Sequence, residues 1–251
     1  MTMLLQFCRV LRQPPQTCAP PALGPQGTMP VPLPASASHR PAGVILAGGL
    51  SRRMFAEGGA GGDKGLLRLG PGSMLARVVA SIRPQVSALA LNANGDPARF
   101  ATLGLPVIAD TVEGFVGPLA GVLAGMRWAA DLSPAPRYVV SAPSDAPFLP
   151  LDLVARLVTA ADANPGAIAL ARSGSELHPV AGCWPVRHAD RLEAALRAGL
   201  RKVLRWTDQH GTLPVDFDFL DVAGEAIDPF FNANTPADLD EARRLLARMQ
   251  P

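Results

Sequence analysis

Residues 43–70 read GVILAGGLSRRMFAEGGAGGDKGLLRLG. A short apolar run, GVILAG, ends in glycine, which suits a strand buried on both faces. Glycines, two adjacent arginines (Arg52 and Arg53) and a single Asp63-Lys64 pair follow, before the chain turns apolar again. Bare backbone after a buried strand brings N–H groups against phosphate oxygens. The arginines add planar forks of donors and Lys64 a movable point charge, so the stretch can hold a triphosphate. It is not a GxxxxGK[ST] loop, because Asp63 precedes Lys64 and Gly65 follows it. It is not GxGxxG either, since the strand runs into AGGLSRRM. The bland alternative, a flexible linker beside solvated arginines, suffices for glycines 58, 59, 61 and 62. It suits LAGG and DKG less well.

Working outward, strand-like and helix-like stretches alternate. SMLARVVASIRPQ is helical, VSALALNAN a second strand, PARFATLG a short helix and LPVIAD a third strand. GPLAGVLAGMRWAAD is a helix entered through Gly-Pro, and RYVVSAPSDAPFL is a fourth strand. LDLVARLVTAADAN, ADRLEAALRAG and PADLDEARRLLARM are helices, with strands GAIALARS and HPVAGCWPV between them. This alternation predicts an α/β fold, a three-layer, doubly wound, mostly parallel, Rossmann-like sheet. Ligands of such sheets sit beyond the carboxyl ends of the strands. Those ends carry the glycine loop, Asn92 and Asn94, Asp110 and Asp145. One polar residue there is a turn former; four sets in succession describe the rim of one pocket.

With 251 residues, 48% apolar and 18% charged, the chain has enough material for one α/β domain with a sizeable core. A net charge of +2 gives no reason to expect a nucleic-acid partner. No apolar run reaches the roughly 20 residues of a membrane span. Cys8, Cys18 and Cys183 show no metal spacing. Residues 1–41 are proline-rich, lack sustained periodicity and hold no acid, the first being Glu57. They are expected to be a disordered tail, with Met29 an alternative start; an acid-poor segment with arginines is also transit-peptide composition. The domain is expected over residues 42–251, in a cytoplasmic, monomeric protein.

The series LAGGLSRRM…DKGLL, NAN, VIAD, GPLAGVLAGM, PSDAPFLPLDL, HPVAG, RKVLRW and FNANTPADL resembles the nucleotidyltransferases of GT-A-like fold. Within them it is most similar to the molybdenum cofactor guanylyltransferase family, over roughly residues 42–250. The stretch FAEGGAGG between Met54 and Asp63 is longer than the family's short glycine link. The resemblance implies transfer of GMP from GTP to the terminal phosphate of molybdopterin, with Mg²⁺ as cofactor and pyrophosphate as leaving group. It implies GTP contacts at Leu46, Ala47, Gly48, Gly49, Lys64, Asn92, Asp110 and Asp145, and catalytic roles for Lys64, Asp145 and Arg53. Asp145 is the implied metal ligand; the ordinary alternative for such a residue is a cap on the next helix. Asn232 or Asn234 is a second candidate ligand, or else a turn and cap before the last helix. Lysine occurs only at 64 and 202, which argues against an incidental Lys64. Asp110 can accept the paired N1–H and N2–H₂ donors of guanine, with Asn92 beside it. His178, Arg201, Lys202 and Arg205 are candidates for the pterin phosphate, or else helix-end and strand-edge groups. Molybdopterin and other cofactor-assembly proteins are the implied partners. A cytidylyl or sugar-phosphate nucleotidyltransferase of the same fold is the alternative, with a non-catalytic cofactor carrier behind it.

Overall fold

A computed structural model describes residues 40–49, 54–55, 62–112, 114 and 117–249. Arg52, Arg53, most of the glycine loop and the proline-rich segment lie outside the described residues. The first strand, β1 (Ala42–Leu46), fits its apolar sequence: Ala42, Val44 and Ile45 are fully buried. Successive side chains of a strand point to opposite faces. Accordingly Val44 packs with Ala42, Ala129 and Val139, and Ile45 packs with Leu75, Val78 and Leu91.

Around β1 the described residues form one seven-stranded sheet. Its members are β1, β4 (Leu89–Asn92), β5 (Val107–Ile108), β6 (Tyr138–Pro143), β7 (Ile168–Ser173), β8 (Glu176–Pro185) and β9 (Thr212–Phe217). The spatial order is β5-β4-β1-β6-β8-β7-β9. Every neighbouring pair is parallel except those involving β8, which runs against both β6 and β7. The mostly parallel sheet expected from the sequence is therefore present, with one reversed strand. The reversal follows from the short Gly174-Ser175 turn between β7 and β8, which leaves no room for a crossover helix. Two small hairpins lie outside this sheet, β2 (Arg68–Leu69) with β3 (Gly72–Ser73) and β10 (Leu220–Val222) with β11 (Glu225–Ile227).

Helices cover both faces. On one, α1 (Met74–Ile82) and α3 (Leu153–Ala163) bury Leu75, Val78, Leu153 and Leu157 in a common core. The Ser73 hydroxyl caps α1 by accepting the Ala76 N–H at 3.1 Å. On the other, α2 (Pro118–Ala130), α4 (Ala189–Arg197) and α5 (Val203–Asp208) share a core with Trp184 and Trp206. The last helix, α6 (Pro236–Met249), packs with both hairpins through Leu245 and Leu246. The short helix expected at PARFATLG is a 3₁₀ segment, Pro97–Leu103, entered through the Asp96 cap and closed by Gly104 at φ +59°.

Two glycines of α2 set how closely it meets the sheet. A Cβ at Gly125 would lie 2.7 Å from Val44, and one at Gly121 would lie 2.2 Å from the Asn92 amide oxygen. Both distances are below any real carbon contact. The pair, one helical turn apart, lets α2 lie directly on β1 and β4.

Candidate active site

The backbone ladder continues past the strand ends and aligns the loops beyond them. Ala47 N–H donates to Asn92 C=O at 2.9 Å, Ala93 N–H to Ile108 C=O at 3.0 Å, and Ser144 N–H to Leu46 C=O at 3.2 Å. The carboxyl ends of β1, β4, β5 and β6 thereby open onto one cavity of about 450 Å³. Its walls include Leu46, Ala47, Gly48, Gly49, Lys64, Asn92, Asp110 and Asp145. The eight residues expected at a nucleotide site are thus brought together. Arg53 lies outside the described residues.

Two polar groupings line this cavity. In the first, Lys64 forms an ion pair with Asp145, and its Nζ donates to the Asn234 amide oxygen at 2.6 Å. The Lys64 and Asp145 side chains are only 16% and 13% exposed, so the pair is shielded from bulk water. The Asp145 carbonyl accepts the Ala233 N–H at 3.0 Å, which anchors the NANTP segment beside β6. Asp145 does not cap the next helix, because α3 begins only at Leu153, after Asp152. The two asparagines of NANTP separate: Asn234 joins the cluster, while Asn232 is exposed. Capping of α6 falls to Thr235 and Asp238. The Asp238 carboxylate accepts the Asn234 and Thr235 N–H groups, and the Thr235 hydroxyl accepts from Asp238 N–H.

In the second grouping, Asp110 is held by two amides. Asn92 Nδ2 donates to one carboxylate oxygen at 3.0 Å and Asn94 Nδ2 to the other at 2.9 Å. Asn94 Oδ1 in turn accepts the Asp110 backbone N–H at 2.9 Å. Asn92 is buried and also donates to Ile108 C=O at 3.2 Å. A carboxylate has about four lone-pair positions, so each oxygen keeps one for a further donor. The plane of the carboxylate is fixed before any ligand arrives.

Sequence reasoning missed the tether of the DKG turn. Asp63 accepts from Arg99 Nε at 2.5 Å, and Arg99 Nη2 donates to Asn94 C=O at 2.6 Å. One arginine therefore ties the Lys64 side of the cavity to the Asp110 side. Arg99 is one of many arginines, and nothing in its local sequence announces a partner so far away in the chain. Phe100, Pro118 and Val180 supply apolar walls that were likewise not anticipated.

The pterin candidates are dispersed. His178, on β8, lies 2.6 Å from the Ser173 hydroxyl, and its ring stacks on Phe230 at 4.4 Å. Burial pushes its pKa down, against the opposing pull of Asp228 and Glu176. Arg201 donates to the Leu196 and Leu200 carbonyls at the end of α4. Its own carbonyl comes within 4.0 Å of the Cβ position at Gly117, on the cavity rim. Lys202 and Arg205 are exposed.

Residues 43–212 match the MobA-like NTP transferase domain. The chain belongs to this family. Over 209 residues it is 51% identical to the molybdenum cofactor guanylyltransferase of Mesorhizobium japonicum, covering 83% of this chain and 97% of that protein. It is 50% identical over 206 residues to the enzyme of the same name from Rhodopseudomonas palustris, covering 82% of this chain and 93% of that one. Among solved structures, the fold matches molybdopterin-guanine dinucleotide biosynthesis protein A from Archaeoglobus fulgidus with a TM-score of 0.63. That match has 21% identity and covers 83% of this chain and all of the other. The same fold recurs in a 4-diphosphocytidyl-2C-methyl-D-erythritol synthase from Anaerococcus prevotii, at TM-score 0.60 and 10% identity, covering 84% and 97% of the two chains. The MobA-like chain is thus a nucleotidyltransferase with its polar groups at the strand ends where that architecture binds ligands.

Proposed function

We propose that this nucleotidyltransferase moves GMP from GTP onto the terminal phosphate of molybdopterin, releasing pyrophosphate. The observation that carries this reading is the pairing, in one cavity, of the Lys64–Asp145 ion pair with a preset carboxylate, Asp110, with Asn234 bonded to Lys64 from behind the wall. The relatives at about 50% identity, all bearing the guanylyltransferase name, give the same direction.

In this reading the Asp110 carboxylate accepts the N1–H and N2–H₂ donors of guanine. Neither adenine nor cytosine presents that donor pair, so a wrong base leaves the carboxylate unsatisfied. The backbone of Leu46–Gly49 frames the nucleotide, and Lys64 carries its charge to the triphosphate. Lys64 must then exchange part of its contact with Asp145 for phosphate oxygens. The attacking group is a phosphate monoester, already anionic at neutral pH, so no strong base is needed. Catalysis consists of holding two anions in line and offsetting the charge that develops on the leaving pyrophosphate.

The donor set fits Mg²⁺ rather than a metal caged by protein. No group of three His, Cys, Asp or Glu side chains converges among the described residues. A single shielded carboxylate, Asp145, with the Asn234 amide nearby, suits an ion whose remaining positions are filled by phosphate oxygens and water. When bound, Mg²⁺ supplies Lewis-acid stabilisation of the phosphate oxygens. Of the two asparagines, Asn234 is the nearer candidate for a second ligand, since it bonds Lys64 while Asn232 is exposed.

Calorimetric titration of the purified chain with GTP, CTP and ATP in Mg²⁺ tests the reading. Selective GTP binding, abolished by EDTA, is the expected result. Preference for CTP would move the function to the cytidylyl alternative while leaving the roles of Lys64 and Asp145 in place.

A further inference from the structure

The described residues carry a second depression, of about 650 Å³, lined by the 163–167 loop, Arg187, His188, Arg191 and His210. Its position separates it from the nucleotide cavity. β7 runs in the same direction as β6, because both are antiparallel to β8, and β9 is parallel to β7. The 163–167 loop precedes β7, and His210 precedes β9. The depression therefore lies at the amino ends of these strands, the opposite edge of the sheet from Asp110 and Asp145.

Its chemistry is of one sign. Two arginines and two histidines line it, and no carboxylate does. Arg187 and Arg191 form no hydrogen bond or ion pair among the described residues. The acids of α4 are turned elsewhere: Asp190 and Glu193 pair with Arg127, and Glu193 also with Arg197. Arg187 and His188 sit just ahead of α4, and Arg191 lies in its first turn. That end of a helix carries the positive pole of its dipole, so cations there are misplaced for stability and an anion is favoured.

The arrangement is also built. Gly166 adopts φ +98°, and a Cβ there would lie 2.6 Å from Arg187 Nη2, so the guanidinium rests against bare backbone. His188 is 6% exposed. Its Nε2 donates to the Gly166 carbonyl at 2.8 Å, which leaves Nδ1 buried with no partner. His210 donates from Nδ1 to the Trp206 carbonyl at 3.0 Å, and its ring lies tilted against the Trp206 ring with centroids 3.9 Å apart. The two imidazoles meet edge-to-face at 5.0 Å. Burial, together with His210, Arg187 and Arg191, pushes the His188 pKa down despite its bond to Gly166.

We propose that this depression binds a phosphate-bearing anion, held by the Arg187 and Arg191 forks beside the His188–His210 pair. Two arginine forks match phosphate oxygens bidentately, and inorganic phosphate, pyrophosphate and phosphate monoesters share that chemistry. The site is separate from the one that carries out nucleotidyl transfer.

The test is an NMR titration of the full ¹⁵N-labelled chain, reading the imidazole signals of His188 and His210. Inorganic phosphate, pyrophosphate and glycerol 3-phosphate are the probes, with sodium chloride at matched ionic strength as the control. The Lys64→Ala variant is titrated in parallel to weaken anion binding in the nucleotide cavity. Saturable shifts of both imidazoles that persist in Lys64→Ala, with a midpoint raised about tenfold or more in Arg187→Ala/Arg191→Ala, are expected. Both arginines are exposed, so the double variant should keep the wild-type fold, checked by its amide spectrum. The order of the three probes separates free phosphate from ester ligands. Shifts that do not saturate, that chloride reproduces, or that survive unchanged in the double variant would overturn the site.

Discussion

At the scale of single residues, two carboxylates at strand ends have opposite assignments because their partners differ. Asp145 faces a cation, and Asp110 faces two neutral amides. Asp145→Asn keeps the shape but removes the charge that pairs with Lys64 and that, in the proposed function, would hold a divalent ion. Transfer should fall by on the order of 1000-fold or more, with the fold retained but the thermal midpoint lowered, because Lys64 loses its shielded partner. Ordinary turnover in that variant, measured by pyrophosphate release, would reject the metal role. Asp110→Asn replaces an acceptor by a donor opposite the guanine donors. The unsatisfied contact costs about 1–3 kcal/mol, so the Kd for GTP should rise roughly 5- to 150-fold while that for ATP changes little. Unchanged selectivity would move base recognition to the Leu46–Gly49 backbone. Both carboxylates were legible in the sequence because each ends an apolar run. The Asp63–Arg99 tether was not legible, since its only signature is spatial.

At the scale of elements, α2 shows how packing reaches the site. Gly121→Ala would ordinarily favour a helix by about 1 kcal/mol. Here the added Cβ meets the Asn92 oxygen at 2.2 Å, whereas at Gly125 it meets Val44. Overpacking of this kind costs about 1–3 kcal/mol, so both alanine variants should lose stability. Only Gly121→Ala should also raise the KM for GTP, because it displaces the amide that orients Asp110. Equal KM values in the two variants would show that the Asn92–Asp110 bond does not govern binding. The helix itself was readable from GPLAGVLAGM, but the reason for its glycines was not. Apolar runs bounded by turn residues likewise revealed the central strands. The helix α5, strand β9 and both small hairpins escaped, because each is short and lacks a sustained period. α5 is six residues long and takes its stability from burying Val203 and Trp206 rather than from local propensity.

At the scale of the whole molecule, two histidines make the fold sensitive to mild acid. Burial holds the pKa of both His178 and His188 below the ordinary imidazole value of about 6.5. Around and below that value the unfolded chain takes up protons that the folded chain refuses. Proton uptake is then greater in the unfolded state, so stability rises with pH in this window. The contribution is complete above the ordinary imidazole value and is lost as pH falls through it toward the depressed folded values. The ion pairs of Glu193, Glu225 and Glu241 with arginines act in a lower window, because those carboxylates are held below their own ordinary range. They are also solvent-screened and contribute little. Urea midpoints should therefore fall between pH 7.5 and pH 5.5, before the carboxylates titrate. His178→Gln/His188→Gln should flatten that fall, since glutamine keeps a donor for the Gly166 carbonyl and cannot be protonated. An equally steep loss in the double variant would remove the histidines as its cause. A stabilising effect of phosphate on the wild type that grows toward pH 5.5, and is absent in Arg187→Ala/Arg191→Ala, would link this acid response to the basic depression. Protonated imidazoles and a bound anion would then offset one another at the same edge of the sheet.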